Sequence, residues 1–316
     1  MQLIWLNATA TRYDEDAFLV WKNKKLWVIK NEQNNPRYNF QKAQNKLVLK
    51  NPKRLTKNYL STEQIEMVDY KEAFDFYNSR FNSANGFHYT FSGNITPEQL
   101  HSYIEVYIAN IPSKKTKINI INRNEGYNQK SIREEIFLGN ENLSMTCISY
   151  TNNYLGNDNQ IDRIKFEIMF DLVLGEMLRE SVREKMSEVY TINTRSDGMN
   201  YPVLGMSNDI IFASDPANVD NILIEVDNQV NLLKNGKFEE KYFISAIETK
   251  LQQIEKVTTT NQYWVKRIND YQIKNQKTFY NEAKIVSELN KEELSILAKK
   301  YLDDNKKLTL ILFPQK

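Results

Sequence analysis

Helical periodicity and short apolar alternations take turns along this chain. Through residues 14–34, Ala17, Val20, Trp21, Trp27 and Val28 mark one apolar side. Asp14, Glu15 and Asp16 sit where a helix dipole favours negative charge, so the segment predicts an amphipathic helix. Asn35-Pro36 ends it, and Pro36 suits the first turn of a second helix running to Leu49. Asn51-Pro52 opens a loop. Ser61-Thr62-Glu63-Gln64 has capping-box character. Asp69 to Phe81 is helical, with Phe74, Tyr77 and Phe81 near one face. In residues 87–92, Phe87, Tyr89 and Phe91 alternate with His88, Thr90 and Ser92, the period of a half-buried strand. Thr96, as N-cap, and Pro97 then start a helix to about Asn110.

Residues 112–130 are polar and charged and carry Pro112 and Gly126, so the domain boundary is placed there. Beyond it, residues 131–151 predict two strands with a turn at Gly139-Asn140-Glu141-Asn142. Residues 158–183 form a helix that is apolar over most of its circumference (Phe166, Ile168, Met169, Phe170, Leu172, Val173, Leu174), which means burial against a sheet. Strands follow near 188–197 and 204–214. Asp215-Pro216 opens a helix through Leu233, one long helical region covers about 238–275, Asn290–Leu302 is a last helix, and residues 308–313 close as a strand. The helix–turn–strand pattern before Asn94 is echoed before Pro314, a weak internal repeat. The fold class is α+β, with helices packed on antiparallel or mixed sheets in two domains related by duplication.

The 316 residues suffice for two domains with substantial cores. The 42 Lys and Arg against 40 Asp and Glu are mixed along the chain, which excludes the concentrated basic stripe of a nucleic-acid-binding face. Richness in Asn, Lys and Ile points to an AT-rich bacterial genome. The single cysteine, Cys147, excludes an internal disulfide and reads as a buried structural thiol. No run approaches the ~18 apolar residues of a membrane span. The first residues lack a basic region followed by an apolar one, so they are not a signal peptide.

Candidate chemistry is sparse. A zinc peptidase site needs two or three imidazoles, a carboxylate and a base beside the bound water. The chain has two histidines, His88 and His101. His101 and Glu105 stand four apart on a helix, but no second imidazole shares their face, and a solvated helix surface is the plain reading. There is no Gly-rich phosphate loop and no Gly-x-Ser-x-Gly elbow. Arg183, near the end of the apolar helix, and Tyr190, opening the next strand, read on residues alone as a dipole partner and ordinary strand packing.

The order of these segments resembles the second half of the pitrilysin/insulinase family of zinc peptidases. The carrying stretches are LIWLNATATRYDEDAFLVWKNK, FYNSRFNSANGFHYTFSGNITPEQLHSYIEVYIANIP, and LRESVREKMSEVYTI. The resemblance implies that residues 1–112 are the C-terminal part of a third domain whose opening strands are missing, 113–130 a linker, and 131–316 a complete fourth domain. It implies an Arg and a Tyr, seven residues apart, that reach the substrate backbone; Arg183 and Tyr190 match them. Family members usually carry a glycine between the two, and here the segment is EKMSEV. The inverted zinc motif, His-x-x-Glu-His, is absent, so zinc is expected in the N-terminal half of the same protein and none in this chain. The implied function is the substrate-binding half of a zinc metallopeptidase cleaving peptides or unfolded segments, inactive alone. A non-catalytic scaffold or partner subunit of the same fold is the alternative. A periplasmic location is favoured for the parent bacterial protein, with the cytoplasm as alternative.

Overall fold

The computed structural model describes residues 1–51, 59–113, 125–154, 160–199, 203–273 and 281–315. The chain divides into two compact units that do not follow its linear order. The first comprises Met1–Glu32, Leu60–Ile121 and Thr258–Phe279, and the second Gln33–Tyr59, Asn122–Val257 and Tyr280–Lys316. In chain order the elements are α1 (Gln2–Thr9), α2 (Glu15–Glu32), α3 (Pro36–Val48), α4 (Thr62–Glu66), α5 (Tyr70–Phe81), α6 (Pro97–Tyr103), β1 (Ile132–Phe137), β2 (Ser144–Asn153) and α7 (Gln160–Leu178). Then come β3 (Val189–Met199), β4 (Gly205–Ser214), α8 (Val219–Lys234), α9 (Glu240–Thr258), α10 (Asn261–Ile273), α11 (Glu282–Glu288), α12 (Lys291–Tyr301) and β5 (Lys307–Phe313). The fold class is α+β.

Helix starts are set locally. The Asn35 side chain accepts from the N–H groups of Arg37 and Tyr38, at 2.9 and 3.3 Å, ahead of Pro36. Ser61 with Gln64, and Thr96 with Gln99, form reciprocal capping boxes. Asp69, Asp215 and Asn290 cap one way, each side chain accepting from one N–H group, of Glu72, Ala217 and Glu293. Each cap is worth about 1 kcal/mol.

The first unit is helical among its described residues. Tyr70 stacks between Tyr13 and Phe18, with ring centroids 4.4 and 4.6 Å away, and Phe74 meets Tyr13 edge-on. The alternation over 87–92 does not become a strand. A strand needs a ladder partner, and among the described residues this segment has none. Its polar side chains bond to α10 instead: Thr90 Oγ1 donates to Asn269 Oδ1 at 2.5 Å, and Ser92 Oγ to Asn261 Oδ1 at 3.2 Å. The expected helical region 238–275 is two helices. It breaks at residues 259–260, where Thr260 Oγ1 accepts from the Tyr263 N–H at 3.3 Å and starts α10. Residues 274 and 275 lie outside the described residues, as do 52–58 of the Asn51-Pro52 loop and 114–124 of the expected linker.

The second unit holds a five-stranded mixed sheet in the order β1-β5-β2-β4-β3. β1 runs parallel to β5, and the other pairs are antiparallel. The turn at Gly139 joins two strands that are not neighbours, because β5 lies between them. Alternation sorts the central strands. Ile148, Tyr150, Ile210 and Phe212 face α7, α8 and α12, while Cys147, Leu308, Leu310 and Leu312 face Phe40, Leu47 and Val48 of α3. On that second face Gln44 Nε2 donates to Cys147 Sγ at 3.0 Å and to Asp209 Oδ2 at 3.1 Å. The Asp209 carboxylate also accepts from Arg195 Nη2 at 2.9 Å and Ser207 Oγ at 2.7 Å. Part of the expected linker is packed here. Tyr127 is buried, bridges Leu49, and takes an N–H bond to Asn153 Oδ1 at 2.9 Å.

Helix α7 is the centre of this core. Phe166, Met169, Phe170, Val173, Leu174, Met177 and Leu178 are all fully buried, each worth ~1.5–3 kcal/mol relative to exposure. Gly175 lets the helix approach β3, since a Cβ there would lie 2.9 Å from Thr194 Oγ1.

The two units differ in burial. In the first, the buried apolar side chains among the described residues are Ile29, Ile65 and Ile111, while Val20, Trp27 and Met67 are 70, 67 and 83% exposed. Exposed apolar helix faces bind apolar dyes and promote association. Replacing Val20, Trp27 and Met67 together by serine is expected to lower both dye binding and self-association in sedimentation. The midpoint of the second unit's unfolding should hold, since each surface change moves stability by only about 0.5 kcal/mol. Unchanged dye binding and sedimentation would show that these residues are not the sticky surface.

Candidate functional site

The corner between α7 and β3 departs from regular geometry three times in twelve residues. After Leu178 the helix widens into a π-helical turn over Arg179–Lys185, where the Met186 N–H reaches back five residues to the Ser181 carbonyl at 3.3 Å. Such turns appear mostly as single insertions within helices and often at functional sites. Ser187 then takes φ 57°, the left-handed region. Finally β3 bulges. Val189 lies opposite Ser214 and Thr191 opposite Ala213, so Tyr190 is the extra residue with no partner on β4. A bulge re-aims the side chain it carries.

These irregularities decide what faces outward. Val182 and Ser181 point into the core, while Arg183 and Glu184 are exposed. Tyr190 is 62% exposed, so its ring is not a core element. Neither Arg183 nor Tyr190 makes a hydrogen bond or ion pair among the described residues. A guanidinium and a phenol thus stand seven residues apart on one corner as unengaged donors. Beyond Tyr190, β3 is an edge strand, paired with β4 on one side and with no other strand among the described residues.

Behind the corner, the carboxylate of Glu180 accepts from Lys241 Nζ at 2.8 Å and from the Tyr242 hydroxyl at 2.7 Å, both on the first turn of α9. Burial, and then the bond to Glu180, pushes the Tyr242 phenol up to about 12. Sequence reasoning missed Glu180, Lys241 and Tyr242, since nothing local links positions 60 residues apart. Ser187 had a signal: it falls in the EKMSEV segment, where the resemblance noted from the sequence implies a glycine.

The other candidates are placed apart from this corner. His88 is exposed. His101 and Glu105 are exposed on their helix, with Nδ1 3.6 Å from Oε2. Among the described residues no three His, Cys, Asp or Glu side chains converge as a metal would require. Cys147 is buried, and burial followed by the charge of Asp209 raises its thiol well above the usual range, so it is no thiolate nucleophile. Among the described residues no helix is long and apolar enough to cross a membrane.

Comparison with known proteins places this geometry. The family model described as the peptidase M16 inactive domain matches residues 68–250. No curated protein matches the chain in sequence. Among solved structures, the periplasmic protease PqqL of Escherichia coli superimposes with a TM-score of 0.80 at 16% identity, covering 99% of this chain and 34% of PqqL. A peptidase M16 inactive domain from Pseudomonas fluorescens gives 0.76 at 13% identity, covering 98% of this chain and 73% of that one. The first half of PqqL by itself gives 0.60 at 10% identity, covering 80% of this chain and 56% of that one. The chain therefore spans about a third of PqqL, and at these identities the likeness is one of fold.

Ser187 offers a direct check of the corner's geometry. A non-glycine residue in the left-handed region costs about 1–2 kcal/mol, and glycine adopts it freely at the expense of a less ordered unfolded chain. Ser187→Gly is expected to stabilise the chain by about 0.5–1 kcal/mol in urea unfolding. Ser187→Val should destabilise it, because a β-branched residue resists positive φ. A glycine variant less stable than the parent would contradict the assigned turn.

Proposed function

The chain belongs to the peptidase M16 inactive-domain family, and from that premise we propose that it is the substrate-holding half of a zinc metallopeptidase. In this reading it binds peptides or unfolded segments and cuts nothing alone. Zinc is held by the N-terminal half of the same protein, which is its partner. Residues 1–112 are the C-terminal part of a third domain and 131–316 a fourth, with Gln33–Tyr59 and Thr258–Phe279 each packed in the other unit. That the first half of PqqL shares the fold supports a protein of two like halves. PqqL is a periplasmic protease, which favours the periplasm here.

The observation that carries the reading is a pair of exposed donors with no partner among the described residues, Arg183 on the π-turn and Tyr190 on the bulge. Peptide hydrolysis develops negative charge on the carbonyl oxygen, and a phenol and a guanidinium both donate to it while keeping their protons at neutral pH. The fork of Arg183 also suits a substrate carbonyl or C-terminal carboxylate. The open edge of β3 offers main-chain groups to an extended peptide, a mode that tolerates sequence variation.

In the full-length enzyme Tyr190→Phe is expected to lower turnover by about 100- to 1000-fold, or ~2.7–4 kcal/mol, the usual loss for one oxyanion donor. Arg183→Lys keeps the charge but loses the fork and should be impaired as well. Peptide hydrolysis measured beside a denaturation midpoint for each variant decides the matter. If both variants cleave at the parental rate, or if activity falls only as stability falls, Arg183 and Tyr190 are packing residues.

A further inference from the structure

We propose that Glu180 is a positioning residue: its carboxylate, held by Lys241 and Tyr242 of α9, fixes the π-turn that presents Arg183. The inference rests on the reading of Arg183 as a substrate contact.

The start of α9 is seated in the main core, where Tyr242, Phe243 and Ala246 are buried. Two polar groups there, the Lys241 ammonium and the Tyr242 hydroxyl, converge on one oxygen of Glu180, Oε2, at 2.8 and 2.7 Å, and Lys241 also pairs with Glu239 at 3.2 Å. Lys241 also lies over the Tyr242 ring at 4.7 Å, so the pair is held together before it meets the carboxylate. The Tyr242 proton stays on its oxygen through the neutral range, which keeps it a donor.

The turn itself needs a tether. A π-helical turn is less favourable than the α-helix it interrupts and persists where the surroundings over-determine it. Val182 is fixed in the core on one side. Glu180 fixes the other side, because its bonds cross to a different helix. Arg179 has no such reach, since its partner Glu176 belongs to the same helix three residues back. With positions 180 and 182 both pinned, the rotation of the turn about its axis is set, and the exposed Arg183 leaves it in one direction.

The test is a double-mutant cycle on this chain, with fluorescein-labelled casein as an unfolded probe and anisotropy as readout. Tyr242→Phe and Glu180→Gln are each expected to weaken binding by roughly 5-fold, the order of one half-exposed ion pair with its hydrogen bond. The thermal midpoint should stay within about 2 °C of the parent. Arg183→Lys should weaken binding more, and adding Glu180→Gln to it should cost nothing further, because the two residues act through one contact. Glu180→Gln without effect, while Arg183→Lys weakens binding, would overturn the positioning role and leave the site reading intact. Additive losses would overturn it too, by giving Glu180 a role of its own. If casein does not bind, or Arg183→Lys binds as the parent does, the site reading fails and the positioning role falls with it.

Discussion

Everything at the corner follows from the burial of α7. Its side chains from Phe166 to Leu178 are core on most sides, so the helix cannot slide or rotate without opening the interior. β3 must also lie against it, close enough that Gly175 touches Thr194. A buried helix and the edge strand packed on it are therefore joined by a connection of only ten residues, Arg179–Glu188, that has to reverse the chain. Within that connection the backbone departs from regular geometry at the π-turn and at Ser187, and β3 then bulges at Tyr190.

Each departure has a physical consequence at the surface. The π-turn carries Val182 inward and Arg183 outward. The left-handed Ser187 reverses the chain, at a cost of ~1 kcal/mol that glycine would not incur. The bulge gives Tyr190 no partner across the ladder and leaves its ring in solvent. Strain of this kind survives only where the surroundings impose it, and it clusters at sites of function.

Much of the fold was legible because its signals are local. Asn35-Pro36, the Ser61 and Thr96 capping boxes and Asn290 started helices where their side chains reach the first N–H groups. The all-round apolar run in α7 announced a buried helix. The failures arose where the outcome depends on distant partners. Residues 87–92 alternate as a strand does, but no neighbour completes a ladder among the described residues. The insertion of β5 between β1 and β2 joins positions more than 150 residues apart. The packing of α3 on the sheet rests on Gln44 meeting Cys147 and Asp209, again remote in sequence. At the site, the positions of Arg183 and Tyr190 came from family resemblance. Their exposure came from the π-turn and the bulge, which no residue pattern discloses, and the Glu180 tether was invisible for the same reason.

The central claim is that the α7–β3 corner and the free edge of β3 receive an extended peptide. Hydrogen exchange of the chain, followed with and without a saturating unfolded polypeptide, tests it most directly. The account predicts slowed exchange confined to residues 190–197, because an added strand would occupy the main-chain groups that β4 leaves open. Unchanged exchange there, with protection appearing instead along β1 or on the first unit, would contradict it.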